Sequence, residues 1–380
     1  MRIHAGRILT PSGWAYDKTV CLEDGRITGI TDGSSGEKET ATLLPGFFDS
    51  HIHGGCGFDA CSGRRDHIED FLLTMAADGV TDALLTLSTA APEALRGGLS
   101  LIAGIMAEQA EGRLPGTRIR GAHLEGPFVN PGRSGAMVKE WMRAPDAELF
   151  DTLTEGFKGL VKMITVAPEL EGAESFAAAM AERGVFLQAG HTDATYDRGD
   201  WAFTHGFRSL CHTFNAARPI HHREPGIITA ALLREEVYCE AISDLQHLHP
   251  GTLQLIYRCK GPEKMLLVSD STMPNGLPDG RYFATNHPVI VTNGVGRTES
   301  GNLSGGTCFL GTAAHRLASL GIPEEEAFAM ASRIPAERLG LAGLGRLEPG
   351  CPDHLTALDE QGDPEFIIAD GSLCRSRTGE

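Results

Sequence analysis

The chain has 380 residues, of which 41% are hydrophobic and 22% charged, enough apolar material for a large buried core without many domains. Its formal charge of −17 argues against a general nucleic-acid binder, because phosphate backbones demand clustered Lys and Arg. No run of about 18 apolar residues reads as a membrane span, Met1 to Gly6 lacks a secretory signature, and the nine cysteines contain no C-x-x-C pair. These features predict a cytoplasmic protein with reduced thiols and neither membrane nor nucleic-acid partners.

In chain order, the N-terminal residues alternate short strands with turn signals, as in Gly6-Arg7-Ile8-Leu9-Thr10 and Glu23-Asp24-Gly25-Arg26-Ile27. The C-terminal stretch Arg346 to Leu373 repeats that style. The reading is a small β-sandwich domain built from both termini, residues 1–44 and 345–380. Residues 45–344 carry a different rhythm of apolar strands and amphipathic helices. The predicted strands are Leu44 to His53, Thr81 to Leu87, Arg118 to Glu125, Val161 to Ala167, Val185 to His191, Ser209 to Asn215, Tyr238 to Asp244 and Lys264 to Asp270. Helical stretches fall between them at Asp66 to Asp78, Ala91 to Ala110, Gly172 to Arg183 and Pro250 to Cys259. Eight strand–helix units in about 250 residues predict a (β/α)8 barrel, with its active site at the C-terminal strand ends. An open doubly wound sheet, the competing architecture, would place a Gly-rich phosphate turn after its first strand. A histidine pair occupies that place. The Gly- and Asn-rich stretch Asn275 to Gly306 is expected to overhang the barrel mouth as a loop or hairpin.

The chemistry gathers at those strand ends. The apolar run Leu44-Pro45-Gly46-Phe47-Phe48-Asp49-Ser50-His51-Ile52-His53 closes in His-x-His, and side chains two apart on a strand share a face. Alone, such a pair also suits a surface turn. Glu125 ends the third predicted strand, His191 the fifth, His212 lies on the sixth, and Asp270 ends the eighth. Imidazole and carboxylate at five separate termini of one barrel face point to a site for one or two divalent ions. Zinc fits these donors, as do iron, manganese and cobalt. Glu125 could bridge two ions, with His123 behind it to orient a ligand. Asp270 follows a strand too apolar to be exposed, so its carboxylate needs a strong partner. It could accept a proton from metal-activated water and return it to a leaving amine, which describes metal-assisted hydrolysis of an amide or related bond. Cys56, Cys61 and Cys211 read as small packing residues nearby.

With these residues in hand, the chain resembles the amidohydrolase superfamily and, within it, the N-acetylglucosamine-6-phosphate deacetylases. The resemblance runs nearly end to end. Its specific parts are Pro45 to Gly54, His123-Leu124-Glu125-Gly126-Pro127-Phe128-Val129-Asn130-Pro131, Thr165-Val166-Ala167-Pro168-Glu169, Gly190-His191-Thr192, His212-Thr213-Phe214-Asn215-Ala216 and Arg223-Glu224-Pro225-Gly226. It implies a metal-dependent hydrolase that removes the N-acetyl group of an amino-sugar 6-phosphate, N-acetylglucosamine 6-phosphate foremost. Glu125, His191 and His212 are then metal ligands, and Asp270 the proton-transfer residue. Substrate contacts are implied from Ala136, Asn215, Ala216, Arg223, His247 and the Leu303-Ser304-Gly305 backbone. Family members are typically dimers, so a homodimer is expected.

Arg223 suits a phosphate, because a guanidinium donates paired hydrogen bonds to oxyanions. A structural salt bridge to Glu224 or another acid is its alternative. The family pattern departs at Met137, the substrate-contact position where a histidine is usual, and at Asp244-Leu245-Gln246-His247, where a glycine is usual. A thioether cannot donate a hydrogen bond. The alternatives are therefore another amidohydrolase acting on a different N-acyl or cyclic amide, with or without a phosphate, and a catalytically dead scaffold.

Overall fold

The computed structural model describes residues 1–33, 36–284 and 287–375. Eight parallel strands form one sheet: Phe47–Ile52, Val80–Ser88, Arg118–Glu125, Val161–Val166, Phe186–Ala189, Phe207–Leu210, Tyr238–Ala241 and Met265–Leu267. They neighbour one another in chain order. The two edges meet where the Asp270 amide donates to the His51 carbonyl at 2.9 Å, completing the predicted (β/α)8 barrel. The second strand, VTDALLTLS, is buried along nearly its whole length, as parallel strands covered on both faces must be.

The intervening helices follow their local signals. Pro92–Ala110 opens on a proline that needs no donor partner there, and Ala173–Arg183 ends at Gly184 with φ +66°. A last helix pair, Glu324–Ala331 and Arg333–Arg338, follows the barrel. Phe48, Leu84, Met163 and Phe186 from the barrel pack on Ala336 and Leu344, so the chain after the eighth strand plugs one end.

Both termini meet in a seven-stranded sheet, in which Lys38–Pro45 lies beside Leu355–Leu358. Its own core includes Ile3, Ile8, Val20, Leu43, Leu355 and Phe366. Leu44 and Pro45, expected at the start of the first barrel strand, belong to this sheet instead, pairing with Thr356 and Leu355. The apolar run therefore contains two strands, separated at Gly46. The expected overhang is a three-stranded antiparallel sheet, Gly280–Ala284, His287–Thr292 and Val295–Thr298.

Candidate metal centre and active site

Each candidate ligand is carried past or at the C-terminal end of a barrel strand. His51 lies at the end of the first strand, where the register with the second shifts between Asp49 and Ile52, and His53 follows it. Glu125 is the last residue of the third. The fifth, sixth and eighth strands end at Ala189, Leu210 and Leu267, a few residues short of His191, His212 and Asp270. All three residues have left-handed backbone, with φ of +44°, +21° and +49°. Such conformations cost about 1–3 kcal/mol each for non-glycine residues and concentrate where side chains must be re-aimed. The sixth strand, expected to continue through Asn215, stops short of that. The chain instead turns inward at His212, and Phe214 and Ala216 also take positive φ.

The re-aimed side chains converge. His212 Nε2 lies 2.9 Å and His191 Nε2 3.1 Å from Glu125 Oε1, and the two nitrogens face each other at 3.2 Å. His53 Nε2 is 3.2 Å from both Glu125 Oε2 and Asp270 Oδ1. His51 Nε2 stands 3.5 Å from Glu125 Oε1 and 3.4 Å from Asp270 Oδ1, buried and without a hydrogen-bond partner. Two donor sets thus share one mouth, Glu125 with His191 and His212, and His51 with His53 and Asp270.

This arrangement fits divalent cations. Two facing imidazole nitrogens at 3.2 Å cannot both carry protons without opposing N–H groups, whereas two lone pairs beside a carboxylate oxygen suit one ion. The far ring nitrogens differ, for His212 Nδ1 is buried without a partner while two others are engaged. His191 Nδ1 is 2.8 Å from the Arg133 carbonyl and His53 Nδ1 3.1 Å from Ser88 Oγ, contacts that orient a ligating ring. Arg133 is itself held by Asp193. His123 lies deeper, between Thr86 and Thr165, with its ring edge-on to His51 at 4.6 Å.

The acids and imidazoles of the cluster shift one another's proton affinities. Burial weakens His53 as a base, but Asp270 and Glu125 override it and hold its pKa up at about 9. Burial alone would raise Glu125, yet His51 and His191 pull it well below the usual carboxylate range. Asp270 is likewise lowered, burial notwithstanding, by His51 and His53. Both acids are therefore carboxylates at neutral pH.

One cavity opens above the cluster, of roughly 270 Å³. His53, Glu125, His191, His212 and Asp270 line it, together with Ala136, Met137, Asn215, Ala216, His247, Leu303, Ser304 and Gly305. His51 lies beneath the lining. Met137 Sδ accepts from Thr89 Oγ1 at 3.4 Å, and His247 Nδ1 is 2.9 Å from Asp244 Oδ2. Gly305 has φ +77°, and a Cβ there would fall 2.4 Å from Thr272 Cγ2 and 2.7 Å from the Asp270 carbonyl oxygen. Only glycine allows that loop to press against the strand-eight turn.

Arg223 is the exception. It sits on an exposed loop outside the lining, its Nη1 2.7 Å from His222 Nε2, and Glu224, its alternative partner, approaches Arg218 instead. Ser88, Thr89, Thr272 and His287 also line the cavity, and none of them stands out in the sequence. Ser88 ends the second strand and Thr272 follows the eighth, so the strand-end rule reaches both.

A (β/α)8 barrel whose mouth gathers four histidines, a shared glutamate and an aspartate defines a metal-dependent hydrolase of the amidohydrolase type. Comparisons with known proteins narrow the class. The chain is 33% identical over 375 residues to the N-acetylgalactosamine-6-phosphate deacetylase of Escherichia coli O157:H7, covering 98% of each chain. It is 32% identical over 379 residues to the N-acetylglucosamine-6-phosphate deacetylase of Vibrio furnissii, covering 97% of this chain and 94% of that one. The Thermotoga maritima N-acetylglucosamine-6-phosphate deacetylase structure superposes with a TM-score of 0.90 at 30% identity, over 99% of this chain and 100% of that one. A Mycobacterium smegmatis deacetylase mutant in complex with N-acetyl-D-glucosamine-6-phosphate gives 0.90 at 29% identity, over 99% of each chain. The family model "Formimidoylglutamate deiminase HutF, N-terminal domain" matches residues 1–39, within the terminal sheet. The chain belongs to the amino-sugar-6-phosphate deacetylase family of the amidohydrolase superfamily.

Proposed function

We propose that the chain removes the N-acetyl group of N-acetylglucosamine 6-phosphate, giving acetate and the free amino-sugar phosphate. The observation that carries this reading is the convergence of His191 and His212 on Glu125 beside Asp270, in a member of a deacetylase family. Glu125, His191 and His212 would hold one divalent ion, and His51, His53 and Asp270 a second that shares Glu125. The imidazole and carboxylate donors support zinc, with iron, manganese and cobalt as substitutes. Bound there, divalent ions polarise the amide carbonyl and acidify the attacking water.

The chain's own groups do the rest. Asp270 takes a proton from the attacking water as the C–O bond forms and then passes it to the nitrogen as the C–N bond breaks, so the amine leaves neutral and the acid product releases the remaining proton to become acetate. Ala136, Met137, Asn215, Ala216 and His247, with the Leu303-Ser304-Gly305 backbone, would hold the sugar and its acyl group. Arg223 would neutralise the 6-phosphate. Because Arg223 lies outside this cavity, the partner of a homodimer would supply it; the enzyme would work in the cytoplasm.

A second reading rests on a specific observation. Among the described residues no Lys or Arg lines the cavity, which favours an unphosphorylated N-acyl substrate. A panel of N-acyl amino sugars, gluco and galacto, with and without the 6-phosphate, tests both readings on metal-reconstituted protein. Preferential acetate release from the gluco 6-phosphate supports the first. Equal or better turnover without the phosphate overturns it.

A further inference from the structure

Beneath the candidate ligands the barrel holds a buried ion pair that touches neither the cavity nor solvent. Arg338, at the end of the helix plugging the barrel, has a fully buried side chain and donates from Nη1 to Glu240 Oε1 at 2.7 Å. The same nitrogen reaches Gln188 Oε1 at 3.0 Å and Ser209 Oγ at 3.2 Å, and Nη2 donates to Ser50 Oγ at 2.6 Å. Glu240, on the seventh barrel strand, is equally buried. Its second oxygen, Oε2, lies 3.2 Å from His51 Nδ1 and accepts from the His212 backbone amide and Gln188 Nε2, each at 3.2 Å.

A pair of this kind is a poor device for stability. Removing two charges from water costs several kcal/mol per ion, and apolar residues of similar volume commonly serve as well. Phe48, Leu84, Met163 and Phe186 pack in just that way against the plug. The division of labour within Glu240 suggests another use, since one oxygen is tied to Arg338 and the other meets a candidate ligand. In a neutral ring, a carboxylate accepting from Nδ1–H leaves the lone pair on Nε2, free for a cation. His51 Nε2 is the buried, unpartnered atom that faces Glu125 and Asp270. Cys211 Sγ also approaches His51 Nδ1, at 3.7 Å, but a thiol is the weaker acceptor.

We infer that Glu240, anchored by Arg338, is a positioning residue for His51, through which the C-terminal plug sets cation affinity at the opposite mouth. This rests on the metal-site reading above. In E240Q one of the two accepting oxygens becomes an NH2, so the side chain can no longer accept from Arg338 and from His51 Nδ1–H together. A paired apolar replacement, E240M/R338M, removes the carboxylate while keeping the interior filled.

The experiment measures zinc affinity and stoichiometry by chelator competition, with the melting temperature of each metal-free protein as a control for folding. Wild type is expected to bind two ions. E240Q and E240M/R338M are expected to bind the weaker ion about 10–100-fold less tightly, with the tighter ion changed by less than about threefold. R338K, which keeps the cation against Glu240, is expected to lie nearer wild type. If E240M/R338M melts like wild type and binds both ions as tightly, Glu240 has only a packing role and the inference is overturned. Should wild type itself bind no zinc, the metal-site reading fails together with the inference. Normal wild-type binding with unchanged E240Q removes the inference alone.

Discussion

His191 and His212, from different barrel strands, bring their Nε2 atoms to within 3.2 Å of one another, and both reach the same oxygen of Glu125. Nothing local in sequence requires that meeting. It is produced by two strand ends turned inward at positive φ, and it gives the barrel mouth a donor set that could hold a cation.

Asp270 is the proton carrier in this account. Asp270→Asn keeps the shape and removes the base, so kcat is expected to fall by about 10²- to 10⁴-fold. Steady-state kinetics on protein of measured metal content check this. A kcat within tenfold of wild type assigns the proton transfer elsewhere.

Metal uptake is expected to depend on pH. With no ion present the carboxylates of Asp270 and Glu125 hold the His53 pKa at about 9. Below that pH a cation must displace a proton from His53, so apparent affinity rises with pH. Titration calorimetry in buffers of different ionisation enthalpy reads the released protons directly. Uptake at pH 7 without proton release contradicts the assignment.

The joint between barrel and terminal sheet carries a pH signature of its own. His354 Nδ1 lies 2.8 Å from Asp82 Oδ2 and its Nε2 3.0 Å from Asp370 Oδ1. Burial opposes a charge on His354, but Asp82 and then Asp370 hold its pKa up at about 9. The folded value exceeds the usual one of about 6.5. The stabilisation is therefore complete below about pH 6.5 and lost as pH rises through about 9. Urea unfolding of wild type and His354→Gln is expected to show a stability gap that closes across that range. A constant gap means the histidine is held without its charge.

Arg223 is expected to act on the phosphate alone. Arg223→Ala removes hydrogen bonds to a charged group worth about 1.5–3 kcal/mol, which is roughly a 10- to 100-fold rise in KM for the phosphorylated substrate. Turnover of the unphosphorylated analogue is expected to stay within about twofold. Loss on both substrates gives Arg223 a structural role instead.

Much of the barrel and its donor set is legible in the amino-acid sequence. The third barrel strand is Arg118–Glu125 in sequence and structure alike, because an apolar run ending in a carboxylate marks both the element and its functional end. The same rule finds the other donors. It overextends the strands at His191, His212 and Asp270, since residues such as Cys211 and Phe214 favour a strand until tertiary hydrogen bonds bend the chain. Leu44 and Pro45 read as barrel because their pairing with Thr356 and Leu355 exists only once the termini meet. Glu240 and Arg338 escape a reading by strand ends. A lone charge in Tyr238-Cys239-Glu240-Ala241 is a readable signal, but its partner lies 98 residues away.

The most direct test is acetate release from N-acetylglucosamine 6-phosphate by purified protein, stripped of metal and then reconstituted. The account predicts no turnover after chelation, recovery with a divalent ion, and one acetate for each free amine formed. Turnover that persists without metal contradicts it, as does a metal-loaded protein that releases no acetate from any N-acetyl amino sugar.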